Sequence, residues 1–248
     1  MKKLVAYITS TYPEKSFSID LALAMAESGV DSIELGVPFS DPVADGAVIE
    51  KANHIALENG FKFSDLLDIS EVIAPKVDTL WMGYFNPFLK HGMKKSLEKA
   101  NELGVSGLII PDLPYEESSA YADLFSSNGV SNISFVAPTD SDSRIEHITK
   151  NAQKFIYLVA YAGITGSGKS EDLQQILSSI KSHTQTPVYV GFGVNEKSAS
   201  SKIIGADGVI VGSAFVDVLL QESLNYTQKI ERCCEIATNI KSIINEAV

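Results

Sequence analysis

Glu34 stands between Ile33 and Leu35 at the end of a short apolar run. A carboxylate in such a place is costly to ionise, so its pKa should rise, which suits a group that both gives and takes a proton. The competing reading is a buried acid paired with a cation or a backbone donor. Asp45 follows in Pro38-Phe-Ser-Asp-Pro-Val-Ala-Asp-Gly46, just ahead of a helical pattern. An Asp in that position commonly caps the helix. Beside Glu34, however, it makes a pair, an acid and a carboxylate, of the kind that carbon–carbon bond cleavage needs. Further along, Gly191-Phe-Gly193 and Gly212-Ser213 each follow an apolar run and open toward a helix. Backbone N–H groups at such turns hold phosphate, although tight turns without a ligand carry the same letters.

A stronger-looking motif lies between these. Gly163-Ile-Thr-Gly-Ser-Gly168-Lys169-Ser170 matches the nucleotide-binding P-loop letter for letter, after a strand pattern and before a helix. The strands that follow, Pro187–Gly191 and Gly208–Val211, do not end in the Mg²⁺-binding Asp such sites use. A glycine-rich lid with a basic residue explains the same letters, which leaves nucleotide binding as a remote alternative. No Lys sits at a strand end, which argues against a Schiff-base aldolase. His54, His91, His147 and His183 are scattered and do not read as metal ligands; His91 alone approaches the functional face, where a surface role is expected. No dinucleotide fingerprint occurs early in the chain.

The elements that must position these residues alternate. Apolar runs recur at Leu4–Thr9, Ser32–Leu35, Thr79–Gly83, Gly107–Pro111, Asn132–Val136, Phe155–Ala160, Pro187–Gly191 and Gly208–Val211. Each is too short for a buried helix and is bounded by turn-forming residues. Helical patterns separate them at Phe17–Ser28, Val48–Asn59 with Ser64–Ala74, Lys94–Leu103, Glu116–Asn128, Asp142–Asn151, Ser170–Ser182 and Glu196–Ile204, and Leu224–Glu246 closes the chain. This predicts an α/β protein, a single (β/α)₈ TIM barrel over all 248 residues with no linker. Function in that architecture collects at the carboxyl ends of the strands, which selects Tyr7, Thr9, Glu34, Asp41, Asp45, Tyr84, Asn86, Asp112, Tyr157 and the later glycine turns. The phrases Ala26–Asp31, Ala100–Val105 and Ile203–Asp207 repeat one joint, a helix end, a glycine and entry into a strand, on the opposite, stability-bearing end.

Bulk properties narrow the function. A net charge of −11 argues against nucleic acid and anionic membrane surfaces. Cys233 and Cys234 are adjacent, so neither a stapling disulfide nor a metal site of usual spacing is expected. With no secretory signal and no long charge-free apolar stretch, a cytoplasmic location is expected.

The run Glu34-Leu-Gly-Val-Pro-Phe-Ser-Asp-Pro-Val-Ala-Asp-Gly46 closely resembles the signature of tryptophan synthase α subunits. The resemblance continues, in family order, through Tyr84-Phe-Asn-Pro87, Pro111-Asp-Leu-Pro114, Gly163-Ile-Thr-Gly166, Gly191-Phe-Gly193 and Gly212-Ser213. It implies retro-aldol cleavage of indole-3-glycerol phosphate to indole and glyceraldehyde 3-phosphate. It further implies Glu34 as the acid–base group and Asp45 as the carboxylate that accepts the indole N–H. Tyr7, Thr9, Tyr84 and Tyr157 would line the substrate pocket, and Thr165 would sit on a closing loop. Gly166, Gly193, Gly212 and Ser213 would hold the phosphate. The implied partner is a β subunit carrying pyridoxal phosphate, met through the loops around Asp41, Asn86 and Asp112 in an αββα assembly; this chain itself would need no cofactor.

Some positions depart from the pattern. The family's first loop reads T-x-G-[DY]-P, whereas Thr9-Ser-Thr-Tyr-Pro13 lacks the glycine. Relatives usually carry a helix before strand one, and here strand one begins almost at once. The lid differs at Ala160, Tyr161 and Ser167–Lys169. An altered lid leaves a second reading, a weakly active subunit that chiefly activates its β partner. A third, a sugar-phosphate isomerase barrel, is disfavoured by the Pro38–Gly46 loop.

Overall fold

The computed structural model describes residues 1–159 and 170–247. Nine strand segments form one wholly parallel sheet: β1 (Lys3–Thr9), β2 (Ser32–Gly36), β3 (Asp78–Met82), β4 (Gly107–Ile109), β5 (Ser131–Asn132), β6 (Ser134–Val136), β7 (Ile156–Val159), β8 (Val188–Gly191) and β9 (Gly208–Val211). They lie in the order β5-β4-β3-β2-β1-β9-β8-β7-β6. The two ends of that order are consecutive in the chain, with only Ile133 between them. Residues 131–136 are therefore one stave whose first half bonds β4 and whose second half bonds β7, which closes an eight-stave barrel. The fifth predicted strand is thus present but divided at Ile133, whose N–H still reaches the Leu108 carbonyl at 3.0 Å.

Strands buried on both faces need apolar residues throughout, and β2 and β9 have no exposed position. Most predicted helices are present within a few residues. The one expected at Glu196–Ile204 contracts to Ala199–Lys202. Asn195 Oδ1 accepts from the N–H groups of Lys197 and Ser198, and Ser198 Oγ accepts from that of Asn195. These side chains satisfy the backbone in a turn instead of a helix. Two further helices, Phe85–His91 and Ser213–Leu219, follow β3 and β9.

The repeated joint is a stability device. Gly29, Gly104 and Gly205 take φ of +98, +79 and +76°, the left-handed caps that turn each helix into the next strand. Beyond two of them an aspartate clamps the neighbouring strand: Asp31 accepts from the Leu4 N–H at 2.8 Å, and Asp207 from the Val188 N–H at 2.9 Å. Lysines neutralise both, Lys3 and Lys241 at Asp31 and Lys181 at Asp207. Cys233 is buried on the inner face of the closing helix Tyr226–Glu246, and both cysteines are free. No described helix is long and apolar enough to cross a membrane.

Candidate active site

At the carboxyl end of the strands lies a cavity of about 480 Å³. β1, β2, β3, β7 and β9 contribute Tyr7, Glu34, Met82, Tyr157 and Ile210 to its wall, and the loops after β2, β8 and β9 contribute Asp45, Phe192, Gly193, Gly212 and Ser213. Strand register accounts for the closest neighbours, since Tyr7 lies beside Glu34 across the β1–β2 pair.

Glu34 is 2% exposed, and its Oε2 has no hydrogen-bond partner. Among the described residues no cation pairs with it, so the reading of a neutralised structural acid finds no support. Burial, and secondarily the charge of Asp45, push its carboxyl up to about 8. It is therefore protonated at neutral pH, yet close enough to titration to release the proton. Asp45 is raised to about 6, again by burial, against hydrogen bonds from Tyr84 and Asn53 that pull the other way. The carboxylate does not cap the following helix: the cap residue of Ala47–Glu58 is Gly46, without a side-chain bond. Instead Asn53 Nδ2 donates to Asp45 Oδ2 at 2.9 Å, while the Tyr84 hydroxyl accepts from the Ala44 N–H at 2.9 Å. The loop is thereby tied to both β3's end and the helix behind it. Two carboxyls held at different protonation tendencies in one cavity can divide acid and base work.

The tyrosines are seated by glycines. A Cβ on Gly36 would lie 2.3 Å from the Tyr7 hydroxyl, and one on Gly191 only 2.2 Å from the Tyr157 ring. Each ring thus lies across a bare backbone on the neighbouring strand. Tyr7 bonds Thr9 Oγ1 at 3.3 Å and donates to Asn53 Oδ1 at 3.4 Å. Burial first, then the nearby carboxylates, holds both phenols well above their ordinary pKa, so they stay neutral. Tyr157 stacks on Phe135 at 5.0 Å and meets Phe192 edge-on at 6.1 Å, giving the cavity an aromatic wall.

Gly193, Gly212 and Ser213 share this cavity with Glu34 and Asp45. Gly193 has φ +65°, a left-handed conformation that glycine adopts freely, and Ser213 opens the helix Ser213–Leu219. Thr165 and Gly166 lie outside the described residues, as do the altered lid positions and all of the P-loop-like stretch except Ser170, which begins the helix Ser170–His183. Asp41 and Asp112 are exposed on the loops after β2 and β4, and Asn86 in the first turn of the helix after β3, at the same end of the barrel. Asp112 Oδ1 also accepts from the Phe85 N–H at 2.8 Å, bracing the loop after β4 against the start of that helix. His91 is not the surface residue expected: it stacks on Phe63 at 3.9 Å with its Nε2 buried and unbonded. Among the described residues no acid, His or Cys cluster is arranged to hold a metal.

Asn53, Ile49, Met82, Phe192 and Ile210 belong to the site and escape sequence reasoning. Asn53 left a trace, as the one polar residue on the buried Ala52/Asn53/Ala56 stripe of its helix. Thr11, at the position where the resemblance expects glycine, keeps the left-handed backbone that glycine favours, with φ +61°.

Residues 1–245 match the family described as Tryptophan synthase alpha chain. The tryptophan synthase alpha chain of Wolinella succinogenes is 57% identical over 246 residues, 99% of this chain and 96% of that protein. That of Methanosarcina mazei is 38% identical, over 98% and 89% of the two chains. Among solved structures, the tryptophan synthase subunit alpha of Legionella pneumophila superposes with a TM-score of 0.90 at 29% identity, covering 99% and 93%. A chain of Mycobacterium tuberculosis tryptophan synthase does so with 0.88 at 30%, covering 98% and 92%. A buried acid beside a second carboxylate and a glycine-lined turn in one aromatic cavity, on a barrel matched end to end, agree with these relatives: the chain belongs to the tryptophan synthase alpha chain family, lyases that cleave indole-3-glycerol phosphate to indole and glyceraldehyde 3-phosphate.

Proposed function

We propose that this chain cleaves indole-3-glycerol phosphate with Glu34 as its acid–base group and Asp45 as the carboxylate facing the indole nitrogen. The observation that carries the reading is Glu34 itself, a buried carboxyl with an unbonded oxygen in the same cavity as Asp45. Held up to about 8, the protonated acid delivers its proton to the ring carbon bearing the glycerol chain. Asp45 accepts the indole N–H and stabilises the positive charge that protonation places on the ring. The Glu34 carboxylate then removes the proton from the adjacent glycerol hydroxyl. The O–H electrons form the aldehyde C=O, the carbon–carbon bond breaks, and its electrons return to the ring to give indole. Tyr7, Thr9, Tyr84 and Tyr157 shape the indole pocket, with Thr165 closing over it, while Gly166, Gly193, Gly212 and Ser213 hold the phosphate on backbone N–H groups.

The same reading gives the chain a β-subunit partner in an αββα assembly, with Asp41, Asn86 and Asp112 on the docking loops. Pyridoxal phosphate belongs to that partner, and the residues above supply the lyase step without a cofactor in this chain. A cytoplasmic location goes with it. The test is indole release from indole-3-glycerol phosphate, with and without a β subunit, by the native chain and by Glu34→Gln. Indole formed by the native chain and lost in the variant supports the assignment; equal release by both removes Glu34 from the chemistry.

A further inference from the structure

The turn after β8 is held from behind by two side chains. Lys202 Nζ donates to the Phe192 carbonyl at 2.5 Å, and Ser198 Oγ donates to the Gly193 carbonyl at 2.9 Å. Both come from the segment that follows the turn, and neither lines the cavity, whereas Phe192 and Gly193 do. A trans peptide is planar, with its C=O and N–H pointing opposite ways. Drawing the Phe192 carbonyl toward Lys202 therefore turns the Gly193 N–H away from it, toward the cavity side. Phe192 adopts φ +72° and Gly193 φ +65°, so this orientation is held against the preference of a phenylalanine.

Lys202 is seated on a backbone carbonyl and not on a carboxylate. Lys3, Lys15, Lys154, Lys181 and Lys241 pair with carboxylates, whereas none pairs with Lys202 among the described residues. It is half-buried all the same, and burial pulls its pKa below the ordinary lysine value. A cation kept from water without a counter-charge is costly. The described phosphate-side residues, Gly193, Gly212 and Ser213, carry no charge of their own. A phosphate bound there arrives with nearly two negative charges, one peptide's breadth from the ammonium.

We propose that Lys202 is a positioning residue for the substrate's phosphate, fixing the Phe192–Gly193 peptide with its N–H toward the cavity and supplying the positive charge behind it. This rests on the phosphate reading of that turn. The mode differs from direct capture: the ammonium touches the peptide, and the peptide touches the phosphate, so the charge polarises the donor without desolvating at the ligand.

Three variants test it: Lys202→Met and Lys202→Gln, which are neutral, and Lys202→Arg, which keeps the charge. Each is checked for folding by thermal melting, then titrated with glycerol 3-phosphate and separately with indole, and assayed with indole-3-glycerol phosphate. The expected result is about tenfold weaker glycerol 3-phosphate binding and a matching rise in KM for the neutral variants, as expected for one charge at a partly solvated site. Their kcat and indole affinity stay within about twofold of the native values, and Lys202→Arg recovers most of the loss. Unchanged glycerol 3-phosphate binding in a folded neutral variant overturns the proposal, as does an equal loss of indole binding, which marks a merely structural lysine. If the native chain itself neither binds glycerol 3-phosphate nor cleaves the substrate, the phosphate reading fails first and takes this inference with it.

Discussion

Glu34→Gln tests the buried acid by a property that needs no substrate. Glutamine keeps the side chain's shape and volume and removes its ionisation. In the native chain the carboxyl titrates at about 8 against an ordinary 4.5, through burial first and the charge of Asp45 second. Between those limits the folded protein holds a proton that the unfolded chain has released. The sign follows: stability is fully present below pH 4.5, falls as pH rises, and levels off above about 8. At about 1.4 kcal/mol per pH decade, raising the pH from about 5.5 to about 8.5 withdraws roughly 3 kcal/mol through this one group. Asp45, raised to about 6, titrates in the same direction within this interval, but its contribution is common to both proteins and drops out of the comparison. The assay is urea unfolding of the native chain and the variant at both pH values. The native protein should lose roughly 3 kcal/mol more than the variant across the interval, well beyond the error of such extrapolations. Parallel losses in the two proteins would refute the argument, because they would place the Glu34 carboxyl in an environment that does not disfavour its charge.

Other consequences are equally direct. Asn53→Ala removes a donor that lowers the Asp45 pKa, so the acidic limb of the kcat–pH profile should move upward and kcat fall about tenfold; an unmoved limb means the Asn53 bond does not tune Asp45. Gly191→Ala drives a Cβ into the Tyr157 ring, and thermal melts should show a loss of about 1–3 kcal/mol together with a raised KM, whereas an unchanged melt would mean that the ring moves freely. Thr11→Gly relieves a left-handed β-branched residue and removes its unbonded buried hydroxyl, so stability should rise by about 0.5–1 kcal/mol after the glycine's extra unfolded-state entropy; a fall would deny the strain. Asp31→Ala should cost about 1–3 kcal/mol at neutral pH with kcat and KM unmoved, since its clamp lies at the far end of the barrel; altered kinetics would contradict that separation.

What the chain discloses in one dimension follows from how local each interaction is. The staves are legible because a strand covered on both faces must be apolar throughout, and Glu34 is legible because it violates that rule at a strand end. The helix Phe85–His91 is hidden by Asn86-Pro87, which reads as a turn. Pro87 falls in the first helical turn, where its missing N–H costs nothing. Ser213–Leu219 is hidden by continuity, since its apolar residues follow directly on β9. The division of the fifth stave at Ile133 reflects two different neighbours, a property of the closed ring and not of the segment. Asn53 and Lys202 are harder still, because each acts through a bond to a residue eight or ten positions away, and no local pattern encodes that bond.

The two ends of the barrel use the same side chains to opposite ends. At the amino end Asp31 and Asp78 are partly buried, which alone would raise their pKa. Lys241 and the Leu4 N–H at Asp31, and Ser106, Ser32 and Lys154 at Asp78, outweigh that burial and hold both carboxyls low. Such acids are permanently ionised and serve as struts. At the carboxyl end Glu34 is buried more deeply, Asp45 is partly buried, and among the described residues no lysine or arginine pairs with either, so their pKa values climb to about 8 and about 6. The difference lies in deeper burial at Glu34 and in the partners that Asp31 and Asp78 have and it lacks. A lysine introduced beside Glu34 would turn it into a strut, more stable at neutral pH and unable to donate a proton. Lys202, beside the turn of the phosphate side, is kept behind a peptide, where it can serve a dianion without pairing with the acids that must remain free to titrate.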